Sequence, residues 1–92
     1  MIKTGDITYK EVGGMTHGRR PCVVIGVENG WAHLVPISTS DWNGQPYIRS
    51  TNGWAKGYAA PNRYHKTPAA GLQADGWVTH EDAATLWDLL WA

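Results

Sequence analysis

Two arginines and two hydroxyl residues are the side chains in this sequence whose types and positions could do chemistry together. Arg19-Arg20 stands before one apolar run, and Ser38-Thr39 stands after the next one. A guanidinium carries a permanent positive charge and a hydroxyl donates a hydrogen bond, so the combination suits a phosphate whose negative charge grows during a reaction. A structural role is also open, in which an arginine fixes a strand end and the hydroxyls close a turn.

The segment between these pairs predicts a β-hairpin. Its two apolar runs, Cys22–Val27 and Trp31–Ile37, are joined at Glu28-Asn29-Gly30. Asn-Gly is typical of hairpin turns because both residues tolerate positive φ. The hairpin therefore brings its two ends, with the arginines and the hydroxyls, to the same place.

The length of the loop decides which hydroxyl faces Arg20. A loop of two residues pairs Arg20 with Thr39, and a loop of three residues, with Gly30 in a bulge, pairs Arg20 with Ser38. Pro21 favours an extended backbone at Arg20, so Arg20 should already belong to the strand. Either register brings a guanidinium beside a hydroxyl, with Cβ atoms about 5 Å apart.

The remaining elements predict a mainly β domain with one terminal helix. Eleven Gly and five Pro separate short apolar runs, as in all-β domains. Further strands are expected at Ile7–Val12, Tyr47–Ser50 and Trp54–Tyr58, and residues 59–76 should be irregular with one short strand. Thr79 has the position of a helix N-cap, and apolar residues recur after it at helical spacing. This helix should cover an open end of the β-structure.

Length and composition indicate a single soluble domain over residues 1–92. The single cysteine, Cys22, permits no internal disulfide, which fits a reducing, cytoplasmic location, and its apolar surroundings predict a buried thiol. No segment approaches the ~20 apolar residues that cross a bilayer, so no membrane partner is expected. The N-terminus also lacks the hydrophobic stretch of a secretory signal.

Charge is divided unevenly along the chain. The net charge is zero, which argues against strong non-specific binding to nucleic acid. Residues 19–66 nevertheless contain six Lys or Arg against two Asp or Glu, whereas residues 67–92 contain four Asp or Glu and no Lys or Arg. A basic surface therefore survives if the acidic end packs away from the middle, and it is cancelled if the end packs across it.

Phosphate chemistry on RNA is the reaction class that these residues favour. Cleaving RNA without a metal needs a base for the 2′-hydroxyl, positive charge for the crowded phosphate and an acid for the leaving oxygen. Arg20 can supply the charge, Ser38 or Thr39 can bond a phosphate oxygen, and His17 can exchange protons near neutral pH. The alternative for His17 is a solvated loop residue without a catalytic role. The four histidines are scattered and show no metal-ligand spacing, so no metal or other cofactor is expected.

Several residues are candidates for holding the RNA. Trp42 and Trp54 lie in Gly/Asn-rich turns near Arg49 and Lys56, an arrangement that could stack bases and bind phosphates. Arg19 joins them as a further cation. Anchoring of the loops or the core is an equally open role for the two tryptophans.

With these residues in view, the chain resembles the MazF/PemK toxin family, which consists of small endoribonucleases of toxin–antitoxin systems. The matching segments are Gly5-Asp6-Ile7, Gly18-Arg19-Arg20-Pro21, the strand ending in Ser38-Thr39, and Val78-Thr79-His80 before an amphipathic helix. The stretch from about Asp41 to Gly76 is shorter than in the family and diverged.

The resemblance implies a small, strongly curved Src-homology-3-like β-barrel with one C-terminal α-helix. It implies a homodimer, a groove for single-stranded RNA, a protein antitoxin, and a 2′-hydroxyl attack that leaves a cyclic phosphate. The family's catalytic arginine falls on Arg20 and its catalytic threonine on Ser38. Where the family loop carries an acidic residue and a glutamine, this chain has Met15-Thr16-His17, which makes His17 the candidate replacement.

The sequence thus predicts a metal-independent endoribonuclease toxin. The alternative is a non-catalytic small-barrel module, such as a phage or mobile-element protein, that binds a host protein through exposed Trp and Tyr. A structural subunit of a larger assembly is a third possibility.

Overall fold

A computed structural model describes residues 1–12, 18–39, 45–52 and 55–91. Within these ranges the chain forms six strands, one short 3-10 turn and one α-helix. The elements are β1 Ile7–Glu11, β2 Arg19–Glu28, β3 Trp31–Ser38, β4 Tyr47–Arg49, β5 Lys56–Ala59, the 3-10 turn Pro61–Arg63, β6 His65–Pro68 and α1 His80–Trp91.

The strands form one antiparallel sheet in the order β1-β2-β3-β5-β4, with β6 also paired to β3. One edge of β3 pairs with β2. Its other edge pairs with β6 along Trp31–Leu34 and then with β5 at Ile37 and Ser38. This change of partner bends the sheet strongly, and among the described strands the sheet does not close. The mainly β fold with a C-terminal helix is confirmed, and the curved sheet fits the predicted small barrel.

The hairpin combines features of both predicted registers. Asn29 and Gly30 have positive φ angles of 51° and 80°, as a two-residue turn of the predicted kind requires. Next to this turn Val27 pairs with Ala32. Between Val24 and Gly26 the register then shifts by a β-bulge, so that Cys22 pairs with Pro36. Continued by two residues, this register sets Arg20 beside Ser38.

Two apolar clusters lie on opposite sides of the sheet, because successive side chains of a strand alternate. The side covered by α1, called the helix face, carries Ile7, Val23, Ile25, Val35, Ile37, Ile48 and Ala59, packed with Ala83 and Leu86 of the helix. The other side, called the far face, carries Val12, Cys22, Val24, Ala32 and Leu34, packed with Ile2. Cys22 is fully buried, as predicted.

Helix α1 begins where the sequence predicts. The backbone N–H of Asp82 donates to the Thr79 hydroxyl at 3.1 Å, which confirms Thr79 as the N-cap. Further along, the Trp87 ring lies so close to Gly26 that a Cβ at position 26 would come within 2.8 Å of it. In the described residues, no helix is both long and apolar enough to span a membrane.

Strand boundaries differ from prediction in both halves of the chain: β2 begins at Arg19 and not at Cys22, and β4 ends at Arg49 and not at Ser50. β5 begins at Lys56, and just before it the backbone N–H of Ser50 donates a 2.8 Å hydrogen bond to the Ala55 carbonyl. Trp54, where the sequence predicts the start of this strand, lies outside the described residues. The short strand expected within residues 59–76 is β6.

Candidate nucleic-acid interface

Five polar or aromatic residues from five adjacent strands follow one another across the far face. Lys10 pairs with Arg20, Ser38 pairs with Tyr58, and Tyr58 pairs with Tyr47. Extending the hairpin register two residues beyond its last pair, Cys22 with Pro36, gives the remaining step, from Arg20 to Ser38. Directly opposed residues of antiparallel strands point to the same side, so these five side chains form one cross-strand row.

The alternation of each strand assigns this row to the far face. Val23, Ile37 and Ile48 belong to the core on the helix face. A residue an odd number of positions from one of these along the same strand points to the far face. Arg20, Ser38 and Tyr47 are such residues. The cross-strand row lies opposite the helix.

Burial differs along the row. Ser38 is 6% exposed, Arg20 and Lys10 are half-buried, and Tyr47 is 49% exposed. The row thus runs from a sheltered hydroxyl flanked by a cation to an open aromatic ring. A guanidinium held beside a buried hydroxyl, with water partly excluded, can stabilise an anion more strongly than a solvated arginine can.

A glycine allows β5 to approach Ser38. A Cβ at Gly57 would collide with the carbonyl oxygen of Ser38 and would come within 2.5 Å of Cγ2 of Ile37. Only a residue without a side chain fits at this position, and the Ser38–Tyr58 pair depends on it.

Two further cations lie on the far face beside the row. Arg49 pairs with Lys56, next to the Tyr47–Tyr58 pair, and both cations are exposed. Lys10 also acts on this side: burial raises the pKa of Cys22 to about 12, and the nearby Lys10 charge opposes that rise.

The acidic residues of the helix lie on the opposite side of the sheet. Glu81, Asp82 and Asp88 belong to α1, which packs on the helix face. The acidic helix therefore packs away from the cations of the row, and a local basic surface survives despite the zero net charge.

Arg19 and Thr39 occupy different surroundings from their neighbours. Arg19 pairs with Glu11, and its guanidinium donates a 2.7 Å hydrogen bond to the Tyr9 carbonyl, an anchoring contact at the strand end. Thr39 is exposed directly after β3. Strand alternation turns the Arg19 side chain away from that of Arg20. Of the predicted catalytic residues, the row contains Arg20 and Ser38.

Three predicted site residues lie outside the described residues: His17, Trp42 and Trp54. Their proposed roles in proton transfer and base stacking stay predictions. Sequence reasoning did not single out Lys10, Tyr47 or Tyr58. Lys10 could have been found by pairing the first strand with the second, whereas Tyr58 requires the β3–β5 pairing, which no turn signal indicates.

A second polar cluster joins the hairpin to the helix. His33, 5% exposed, lies between Glu28 at 3.0 Å from Nε2 and the Tyr64 hydroxyl at 2.5 Å from Nδ1. Its ring also stacks on Tyr64 and meets the edge of Trp87. Across the part of the chain that the structure describes, no group of three His, Cys, Asp or Glu residues could hold a metal ion.

Comparison with known proteins identifies the fold. The chain resembles a chain in the crystal structure of MazE-MazF (Form-II) from Deinococcus radiodurans, with a TM-score of 0.68 and 14% sequence identity. The match covers 97% of this chain and 90% of that chain. No protein-family model and no curated protein matches the sequence. The strongly curved sheet with its terminal helix is therefore a MazF-like fold, at low sequence identity.

Proposed function

We propose that this protein is the toxin of a toxin–antitoxin system and acts as a metal-independent endoribonuclease on single-stranded RNA. The feature that carries the proposal is the cross-strand row on the face opposite the acidic helix, in which Lys10 pairs with Arg20 and the extended hairpin register sets Ser38 next to Arg20. The MazF-like fold supports the same function.

The proposed reaction is an attack by the RNA on its own backbone. The 2′-oxygen of the ribose forms a bond to the adjacent phosphorus, and the bond from phosphorus to the 5′-oxygen of the next nucleotide breaks. Arg20 stabilises the negative charge that builds on the phosphate, and Ser38 donates a hydrogen bond to a non-bridging oxygen. The products are a cyclic phosphate and a free 5′-hydroxyl.

Proton transfer is proposed for His17. A histidine titrates near neutral pH, so it can take the proton from the 2′-hydroxyl or return one to the leaving 5′-oxygen. Thr39 is a second hydroxyl for the phosphate. Arg49 and Lys56, paired beside the row, are proposed to hold the flanking backbone, with Trp42 and Trp54 as further RNA-binding residues. Arg19 faces away from the row, so its role in RNA binding stays a prediction.

A protein antitoxin and a second copy of the chain are the proposed partners. The similar solved structure is a MazE-MazF complex, which supports a toxin that is held by a partner protein. A disordered antitoxin segment could lie across the basic far face and fold as it binds.

The test is an RNA-cleavage assay in EDTA with a long single-stranded RNA. The expected result is discrete fragments with cyclic-phosphate ends. Arg20→Ala should slow cleavage by about 10²–10³-fold, since removing one donor to a developing oxyanion has effects of this size. Ser38→Ala should also slow cleavage.

A matched control for Arg20→Ala is Arg63→Ala. Arg63 is an exposed arginine in the 3-10 turn, which packs against α1. The Arg63→Ala variant should cleave RNA at the wild-type rate. If the wild-type protein left a range of single-stranded RNAs intact, endoribonuclease activity would be excluded.

A non-catalytic protein-interaction module is the second candidate function. It is favoured by the exposed tryptophans Trp31, Trp77 and Trp91, since exposed aromatic residues are frequent in protein interfaces. Intact RNA together with capture of a specific host protein, lost on substitution of these tryptophans, is the result that this candidate predicts.

A further inference from the structure

The Tyr47–Tyr58 pair is an exposed aromatic surface directly beside the Arg20–Ser38 site. Tyr58 faces Ser38 across the β3–β5 pairing, and Tyr47 faces Tyr58 across the β5–β4 pairing. Neighbouring strands are about 4.8 Å apart, so Tyr47 lies about 10 Å from β3 along the row. One nucleotide can reach across this span, from its phosphate through its ribose to its base.

The two rings are arranged so that one supports the other. Their centroids are 5.3 Å apart and their planes meet at 78°, an edge-to-face contact. Such pairs contribute to stability and fix ring orientation. Tyr58 is half-buried, whereas Tyr47 is 49% exposed although it lies within a paired strand. The outer ring is therefore held in a fixed orientation and remains open to a ligand.

Cations flank the aromatic pair on both sides. On one side lies Arg20, in β2. On the other side lies the Arg49–Lys56 pair, two residues from Tyr47 along β4 and two residues from Tyr58 along β5, on the same face. An aromatic ring with cations before and after it matches the repeat of a single strand of nucleic acid, in which phosphates alternate with bases.

We propose that Tyr47, supported by Tyr58, stacks on one nucleobase of a single-stranded RNA whose phosphate is held at Arg20 and Ser38. This inference rests on the proposed function for the nature of the ligand, and it assigns a base-binding position that the catalytic residues do not provide. Stacking accepts any base, so Tyr47 contributes affinity more than sequence specificity.

The test measures binding apart from cleavage. A short 2′-O-methyl oligoribonucleotide lacks the free 2′-hydroxyl that would attack, so fluorescence anisotropy with this probe reports affinity alone. Tyr47→Ala should weaken its binding about 5- to 150-fold, which corresponds to the loss of one stacked base. Tyr47→Phe, which keeps the ring, should bind within a few fold of wild type.

Two controls make the result specific to stacking. Trp31→Ala removes another exposed aromatic ring, at the hairpin turn on the helix face, and should leave affinity unchanged. An abasic oligonucleotide of equal length should bind wild type and Tyr47→Ala equally, because it has no base to stack.

The outcomes separate this inference from the proposed function. Equal affinity of wild type and Tyr47→Ala for the base-containing probe overturns the stacking position, whether or not the wild type cleaves RNA. Failure of cleavage together with the expected pattern of affinities supports stacking and rejects the catalytic proposal alone. Absence of binding by wild type overturns the inference.

Discussion

His33 and Tyr64 are joined by a hydrogen bond between the imidazole Nδ1 and the phenol hydroxyl, 2.5 Å apart. The other ring nitrogen, Nε2, lies 3.0 Å from the Glu28 carboxylate, which can only accept when ionised. In the neutral imidazole the proton therefore belongs on Nε2, and the Tyr64 hydroxyl donates to Nδ1. This bond ties β3 to the turn before β6, on the face where α1 packs.

We expect Tyr64→Phe to lower the free energy of unfolding by about 1–3 kcal/mol, because it leaves Nδ1 of a buried histidine without its donor. Urea denaturation at neutral pH measures the change. Tyr47→Phe is the matched control: the same hydroxyl is removed from an exposed side chain, and the change should stay within about 0.5 kcal/mol. Equal effects of the two variants would contradict the role of the His33 contact.

Alkaline pH should destabilise the protein through Cys22. Burial raises the pKa of this thiol to about 12 from an ordinary value of 9.0. Above pH 9 the unfolded chain therefore loses a proton that the folded chain keeps, and stability falls by about 1.4 kcal/mol per pH unit until the folded pKa is reached. Burial and the Glu28 charge also raise the pKa of Tyr64, whose ordinary value is 10.0. Because the ordinary value for Cys22 is lower, the loss of stability that is due to Cys22 begins at a lower pH.

Denaturation curves between pH 8 and pH 10 measure this effect. Cys22→Ala should flatten the dependence on pH in that range, whatever its effect on stability at pH 7. In the wild-type protein a thiol reagent should modify Cys22 only through transient opening of the fold, and so far more slowly than it modifies the unfolded chain. Rapid modification of the folded protein would show that the thiol is accessible.

Gly57→Ala should disturb the sheet at Ser38. The new Cβ would collide with the Ser38 carbonyl oxygen, so β5 must move away from β3. Overpacking of this kind typically costs about 1–3 kcal/mol. Gly71→Ala is the control, since Gly71 also has a positive φ, of 89°, but has no atom within 4 Å of the added Cβ. Thermal unfolding should show a larger loss for Gly57→Ala, and RNA cleavage should fall only in that variant.

The hairpin shows how far sequence alone could predict the site. Asn29 and Gly30 specified the turn, because their tolerance of positive φ is a local property. The bulge near Ile25 then shifted Arg20 from Thr39 to Ser38. Gly26 within an apolar strand was a signal for such a bulge, and its packing against Trp87 gives the physical reason for a glycine there.

The rest of the site depends on contacts between distant parts of the chain. Arg20 and Ser38 approach through one hairpin, which local patterns specify. Tyr58 reaches Ser38 only because β3 exchanges β6 for β5 as its partner. That exchange follows from the curvature of the whole sheet, and neither composition nor periodicity encodes it locally.

Lys56 should contribute to RNA affinity through charge alone. A cation that neutralises one phosphate of a single strand steepens the dependence of log K on log salt by about 0.7. Lys56→Gln should therefore reduce that slope by about this amount and weaken binding of the 2′-O-methyl probe most at low salt. Anisotropy titrations across a series of salt concentrations give the slope.

Lys66→Gln is the charge-matched control. Lys66 is exposed, but it pairs with His33 on the helix face, and its Nζ lies 5.7 Å from the centre of the Trp31 ring. Because it is on the opposite side of the sheet from Arg20, its removal should leave the slope unchanged. If both variants reduced the slope of log K against log salt equally, RNA binding would depend on the overall charge of the protein. The far face would then not be the RNA-binding surface.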